Sequence, residues 1–143
     1  MKDLDYWARL QSLRLYSQER QRDRYAVIFI WKCAMGLVDS YKVNFTTSRH
    51  GRKCTVSVCS QTASPLVRRA KEASLPVKGA KMFNLLPSEI RNITADKVDV
   101  FKKKLDLYLN GIADEPTIPG RHRAAATNSL LDQIPMSRAQ VRL

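Results

Sequence analysis

Residues 74–92 set the strongest local constraint on how this chain of 143 residues can fold. The extended run 74–77 is held out of the helical region by Pro76. Gly79 follows, at a position suited to a turn or to a close backbone approach. Met82, Phe83, Leu85 and Leu86 then give a short apolar helical face, which Pro87 ends or re-aims. No nucleophile, metal ligand or phosphate cradle stands in the segment. It reads as a packing hub rimmed by Lys78, Lys81 and Arg91.

The chain suits one domain with a genuine core. Its charge is the unusual property: 25 basic residues against 13 acidic ones give +12. A surplus of that size favours polyanions, nucleic acid before anionic membrane. It concentrates between residues 37 and 92, which hold ten basic and three acidic residues. Cys33, Cys54 and Cys59, with no signal peptide, point to free thiols in a reducing compartment. The expectation is an intracellular chain, nuclear or cytoplasmic and not secreted, so the sequons at Asn44 and Asn92 go unused. The longest apolar run, 25–31, is far short of the ~20 residues that span a bilayer.

Periodicity predicts a first helix over residues 3–16, with Leu4, Trp7, Leu10 and Leu13 on one stripe. Ser17 suits the N-cap of a second helix running to Met35, with Gly36 as its stop. Its first half is charged all round. Its second half, 25–31, is apolar all round and is expected to be buried; its β-branched and aromatic content also permits a strand, but no turn separates it from the polar half. Residues 39–47 read as a loop and 49–53 as a basic turn. Residues 54–59 alternate as a strand does and are expected to pair with 74–77 in a two-stranded ribbon, which must lean on helices. Residues 65–72 form a short connector. Asp96 or Thr94 can cap a last helix with Val98, Phe101, Leu105, Tyr108 and Ile112 on one stripe. The expected fold is α+β, mostly α-helical, with a short two-stranded β-ribbon packed on helices. Its domain spans 1–112, and a mostly disordered tail spans 113–143.

Chemistry is sparse. His50, Cys54 and Cys59 lack a fourth ligand, and a strand would turn the two cysteines to opposite faces, so no metal is expected. The acids at Asp3 and Asp5, Asp96 and Asp99, and Asp114 and Glu115 fit helix starts or a solvated tail. No nucleotide-binding, serine-hydrolase or zinc-protease motif is present, and neither an enzyme activity nor a cofactor is expected. What survives is the basic clusters. Arg20, Arg22 and Arg24 share a helix, Arg49, Arg52 and Lys53 a turn, and Arg68, Arg69 and Lys71 a connector. Lys78, Lys81 and Arg91 rim the hub, and Lys102 and Lys103 crowd the last helix. Such groups meet phosphates and position a nucleic acid without reading its sequence. Aromatics near them are few, which argues against base stacking.

Four ordered blocks carry a resemblance. The hub contains Lys78-Gly79-Ala80-Lys81, Phe83-Asn84, Leu86-Pro87 and Ile90-Arg91-Asn92. It is preceded by Arg9-Leu10, Leu13-Arg14-Leu15-Tyr16-Ser17, Arg20, Arg22-Asp23-Arg24-Tyr25, Trp31-Lys32 and Gly36-Leu37. After the hub come Phe101-Lys102, Lys104-Leu105-Asp106 and Tyr108-Leu109. The last block joins Ala113-Asp114-Glu115-Pro116, Ile118-Pro119-Gly120 and Asn128-Ser129-Leu130-Leu131-Asp132-Gln133. Together they resemble the C-terminal, post-thumb segment of reverse transcriptases from non-LTR (LINE-type) retrotransposons. The resemblance implies sequence-tolerant gripping of an RNA template and DNA primer. The family's paired catalytic aspartates and its endonuclease are absent from this chain, which resembles only that piece. The partners expected are therefore RNA, DNA or both, and the remainder of a reverse transcriptase. A packing fragment that binds nothing alone is the second reading. A membrane-surface protein is the third, and only residues 96–112 approach the helix it needs.

Overall fold

The computed structural model describes residues 3–39, 43–56, 64–94, 98–114 and 129–141. In chain order these form α1 (Tyr6–Leu13), α2 (Gln18–Ala34), β1 (Val43–Ser48), β2 (Gly51–Val56) and α3 (Pro65–Glu72). Then follow α4 (Leu75–Leu85), α5 (Ser88–Arg91), α6 (Val98–Asn110) and α7 (Leu130–Val141). The fold is α+β and mostly helical, with a two-stranded antiparallel ribbon docked on helices.

Helix α2 is the axis, and its ends follow from local chemistry. The Ser17 hydroxyl accepts from Arg20 N–H at 3.2 Å, satisfying one of the orphan amides of the first turn. Past the C-cap at Met35, Gly36 adopts φ 76°, a left-handed conformation that glycine enters without strain. Val27, Ile30 and Trp31 are fully buried. The Trp31 ring stacks on Phe101 with centroids 4.3 Å apart, and its indole N–H donates to Ile93 C=O at 3.3 Å. The expectation that 25–31 is buried all round fails at Tyr25, which is 62% exposed.

The hub packs on α2, but its extended start is a correction. Residues 74–77 are the N-cap and first turn of α4, with Pro76 where a missing N–H costs no intrahelical bond. Gly79 does not break the helix. A Cβ there would stand 2.5 Å from Ile30 Cγ1 and 3.1 Å from Ala26 C=O, so the glycine lets α4 lie directly on α2. Pro87 ends α4 and opens α5, as its ring dictates.

The ribbon also differs from expectation. β1 pairs with β2 in the register Val43 to Val56 and Phe45 to Cys54, closed at Ser48 and Gly51. The segment expected as a loop is thus a strand over Val43–Ser48. Its Val, Phe and Thr residues suit a pleated surface buried on one face only. The basic turn expected over 49–53 narrows to Arg49 and His50, because Gly51, at φ 99°, already pairs with Ser48, and Arg52 and Lys53 belong to β2. Asn84 imitates a third strand, accepting from Cys54 N–H at 2.8 Å and donating to Cys54 C=O at 3.0 Å. Cys59 and the candidate cap Asp96 lie outside the described residues.

Three further differences concern helices. The connector 65–72 is helix α3, capped by Ser64. The first helix is shorter than 3–16: Asp5 caps it, Arg14 ends it at φ 53°, and none of its residues is buried. The tail expectation differs over Leu130–Val141, where Leu130 and Ile134 are fully buried in the core. Residues 115–128 of that tail lie outside the described residues. The stripe predicted on the last helix holds, with Phe101, Leu105 and Ile112 buried and Val98 and Tyr108 packed against the core.

Candidate nucleic-acid interface

Three of the predicted arginines are taken up by contacts within the fold, Arg20 and Arg91 buried and Arg24 half-exposed. Arg20 is fully buried, and its guanidinium donates to the carbonyls of Leu109 (3.5 Å), Ile112 (3.4 Å) and Ala113 (2.8 Å). It closes the C-terminal end of α6, where carbonyls lack intrahelical donors and a cation suits the dipole. Burial lowers its pKa, opposed by Asp114, whose Oδ1 lies 3.8 Å from Nε. Arg24 forks onto Asp106 at 2.5 and 2.9 Å, and that hydrogen bonding raises its pKa. Arg91 is buried and donates to the carbonyls of Leu86, Arg52 and His50 at 2.7–2.8 Å, tying the hub to the hairpin. Burial keeps Arg20 and Arg91 from a phosphate, which corrects their assignment as binding residues, and Arg24 is engaged by Asp106.

The other predicted cations divide by exposure. Arg52 is half-buried, with its guanidinium 5.6 Å from the Phe45 ring centre. Lys102 is half-buried on α6. Arg22, Arg49, Lys53, Arg68, Arg69, Lys71, Lys78, Lys81 and Lys103 are exposed. On α4 the buried positions leave Lys78 and Lys81 on the outer face, three residues apart.

The structure brings two of these cations together across elements. Arg22 of α2 and Lys78 of α4 line one groove of about 370 Å³, with Glu19, Asp23, Ala26, Ala73, Leu75 and Met82. Beside it, Gln18, Gln21, Arg22, Tyr25 and Leu75 line a broader hollow of about 620 Å³. Arg22 and Leu75 belong to both, so the two form one continuous depression. Tyr25 stands in it, backed by Phe29 in a near-parallel stack with centroids 6.0 Å apart. Tyr25 escaped the sequence reading because an apolar run hides one outward-facing member, and Gln18 and Gln21 carry no charge to mark them. The signal was spacing, since Tyr25 is three residues beyond Arg22 on a helix and shares its face.

Asp23, at the floor of the groove, is buried and faces inward. Its carboxylate accepts from Leu130 N–H at 2.9 Å and so holds the start of α7. Burial raises its pKa, opposed by that bond and by the positive charges of Lys78 and Arg20. Among the described residues, no group of three or more His, Cys, Asp or Glu side chains is placed to hold a metal. No helix among them is long and apolar enough to cross a membrane. Compared with known proteins, the chain matches no family model, no curated protein and no solved structure.

Proposed function

We propose that the chain is a non-catalytic, sequence-tolerant nucleic-acid-binding module that grips phosphates and stacks a base. The observation that carries this reading is the depression shared by α2 and α4. It joins Arg22 and Lys78 to the exposed ring of Tyr25, the combination of cation and aromatic face that single strands require. Lys81 continues the line along α4, and the +12 charge supplies long-range attraction. On the resemblance to the post-thumb segment of LINE-type reverse transcriptases, the ligand is the RNA template or DNA primer strand, inside the cell, and the remainder of the polymerase is a partner.

Binding of labelled single-stranded RNA and of duplex DNA across a salt series tests it. Each phosphate that the site neutralises steepens the log–log salt slope by about 0.7–0.9, so Arg22→Gln and Lys78→Gln each make it shallower by about one. Tyr25→Ala weakens single-strand binding by about 1–3 kcal/mol and leaves the slope unchanged. A folded, monodisperse chain that binds neither nucleic acid at low salt overturns the proposal.

A second reading has its own observation. Leu66 on α3 is 80% exposed, and Tyr6, Leu13 and Leu15 around α1 are each more than half exposed. Apolar surface of this kind suits a packing segment of a larger polymerase. Concentration-dependent self-association without salt-dependent nucleic-acid binding distinguishes it.

A further inference from the structure

We propose that the outer edge of β1 takes an extended acidic peptide as a third strand of the ribbon, its carboxylates facing Lys53 and Arg49. The hydrogen-bond ladder shows which edge is open. Cys54 exchanges both backbone bonds with the Asn84 amide. Arg52 N–H donates to Asn92 Oδ1 at 3.1 Å, and Arg52 C=O accepts from Arg91 Nη1 at 2.7 Å. Both β2 residues therefore turn their backbone groups away from β1. Facing residues of an antiparallel pair share that orientation. Phe45, opposite Cys54, and Thr47, opposite Arg52, accordingly turn theirs to the other side. Three side chains close the β2 edge. On the β1 edge, the backbone N–H and C=O groups of Phe45 and Thr47 have no hydrogen-bond partner among the described residues. Thr47 is exposed and Phe45 half-buried, so a strand can approach them.

Charge selects the occupant. Residues 40–71 contain no Asp or Glu, and Arg49, Arg52 and Lys53 stand at the hairpin. A second copy meeting this edge would set like charges side by side, which strand pairing penalises. A peptide alternating apolar and acidic residues fits both faces. Its apolar side chains lie beside Phe45 on the packed face, and its carboxylates lie on the solvent face shared by Thr46 and Lys53. Main-chain bonds to an exposed edge then supply affinity and the side chains supply selectivity.

The test uses the full chain and a labelled peptide of about eight residues alternating valine and glutamate, long enough for one strand. A valine–lysine peptide serves as control. Hydrogen exchange at the Phe45 and Thr47 amides is expected to slow with the acidic peptide and not with the control. Thr47→Pro removes an outward donor but no ladder bond, and weakens peptide binding by about tenfold. Lys53→Glu weakens it while leaving the ribbon paired. Binding that leaves both amides unprotected overturns the proposal, as does absence of binding at millimolar peptide. Protection of the two amides by single-stranded RNA in place of the peptide assigns the edge to nucleic acid and overturns it equally. Protection in the peptide-free chain with a dimer in sedimentation does the same in favour of a second copy. Should Thr47→Pro unfold the ribbon, the exchange data on the unaltered chain decide.

Discussion

Arg20 and Arg22 sit two positions apart on α2 and have opposite fates. Arg20 spends its Nη1 and Nη2 donors on three carbonyls at and just past the end of α6, while Arg22 faces the groove. Arg20→Ala strands those carbonyls and leaves Asp114 without its cation, a loss of about 3–5 kcal/mol. Arg22→Ala leaves the denaturant midpoint unchanged and acts only on binding. Urea unfolding of the two variants measures the contrast, and equal midpoints would show that Arg20 is not structural. Gly79 poses a second test at this scale. Alanine is the better helix former, yet its Cβ would meet Ile30 Cγ1 at 2.5 Å. Gly79→Ala is therefore expected to destabilise by about 1–3 kcal/mol. Measured on an Ile30→Ala background, the same change costs less, because the clashing atom is gone. A cycle showing no coupling refutes the contact as the cause.

At the scale of elements, one face of the charged half of α2 ties helices together. Ser17 and Arg20 hold Asp114, Arg24 holds Asp106 on α6, and Asp23 holds the first amide of α7. Asp23→Ala leaves the buried Leu130 N–H unpaired and costs about 1–3 kcal/mol, whereas Asp23→Asn keeps an acceptor there. The pH dependence has a definite sign. Burial raises the Asp23 pKa in the folded chain above the ordinary value of 3.8, so the folded state binds its proton more tightly. Stability from this group is fully present below the unfolded pKa and is lost as pH rises through the folded one. Relative to Asp23→Asn, the unaltered chain therefore gains stability as pH falls from neutral towards 4, read by urea midpoints at several pH values. The same ties explain what was legible. The α2 boundaries and the last-helix stripe follow from residues acting on near neighbours. At Gly79 the sequence leaves a turn and a close approach both open, and the contact with Ile30 and Ala26 decides between them. The burial of Arg20, Asp23 and Arg91 depends on carbonyls and amides supplied from distant elements, which spacing within one helix does not reveal. β1 is hard to read because Val43 and Phe45 are its only apolar residues, too few for the alternation to stand out among Asn44, Thr46, Thr47 and Ser48.

For the molecule as a whole, the decisive question is where the fold's last support lies. Helix α1 has no buried residue, but α7 sets Leu130 and Ile134 into the core beside Asp23. Arg138 also donates to Leu85 C=O at the end of α4, so α7 is tied to both helices that form the groove. Truncation after Asp114 removes two fully buried aliphatic side chains, each worth about 2–5 kcal/mol, and leaves Asp23 buried without its amide. The sum approaches the whole stability of an ordinary domain of about 5–15 kcal/mol. The truncated chain is expected to lose cooperative unfolding in circular dichroism and, with it, the arrangement of Arg22, Tyr25 and Lys78. Removing residues 1–14 instead should leave a cooperative transition and nucleic-acid binding intact. A truncation at 114 that unfolds as sharply as the full chain would show that α7 is not part of the core. If that shortened chain also bound RNA with the full salt slope, the gripping surface would not depend on the α2–α4 depression being held from behind.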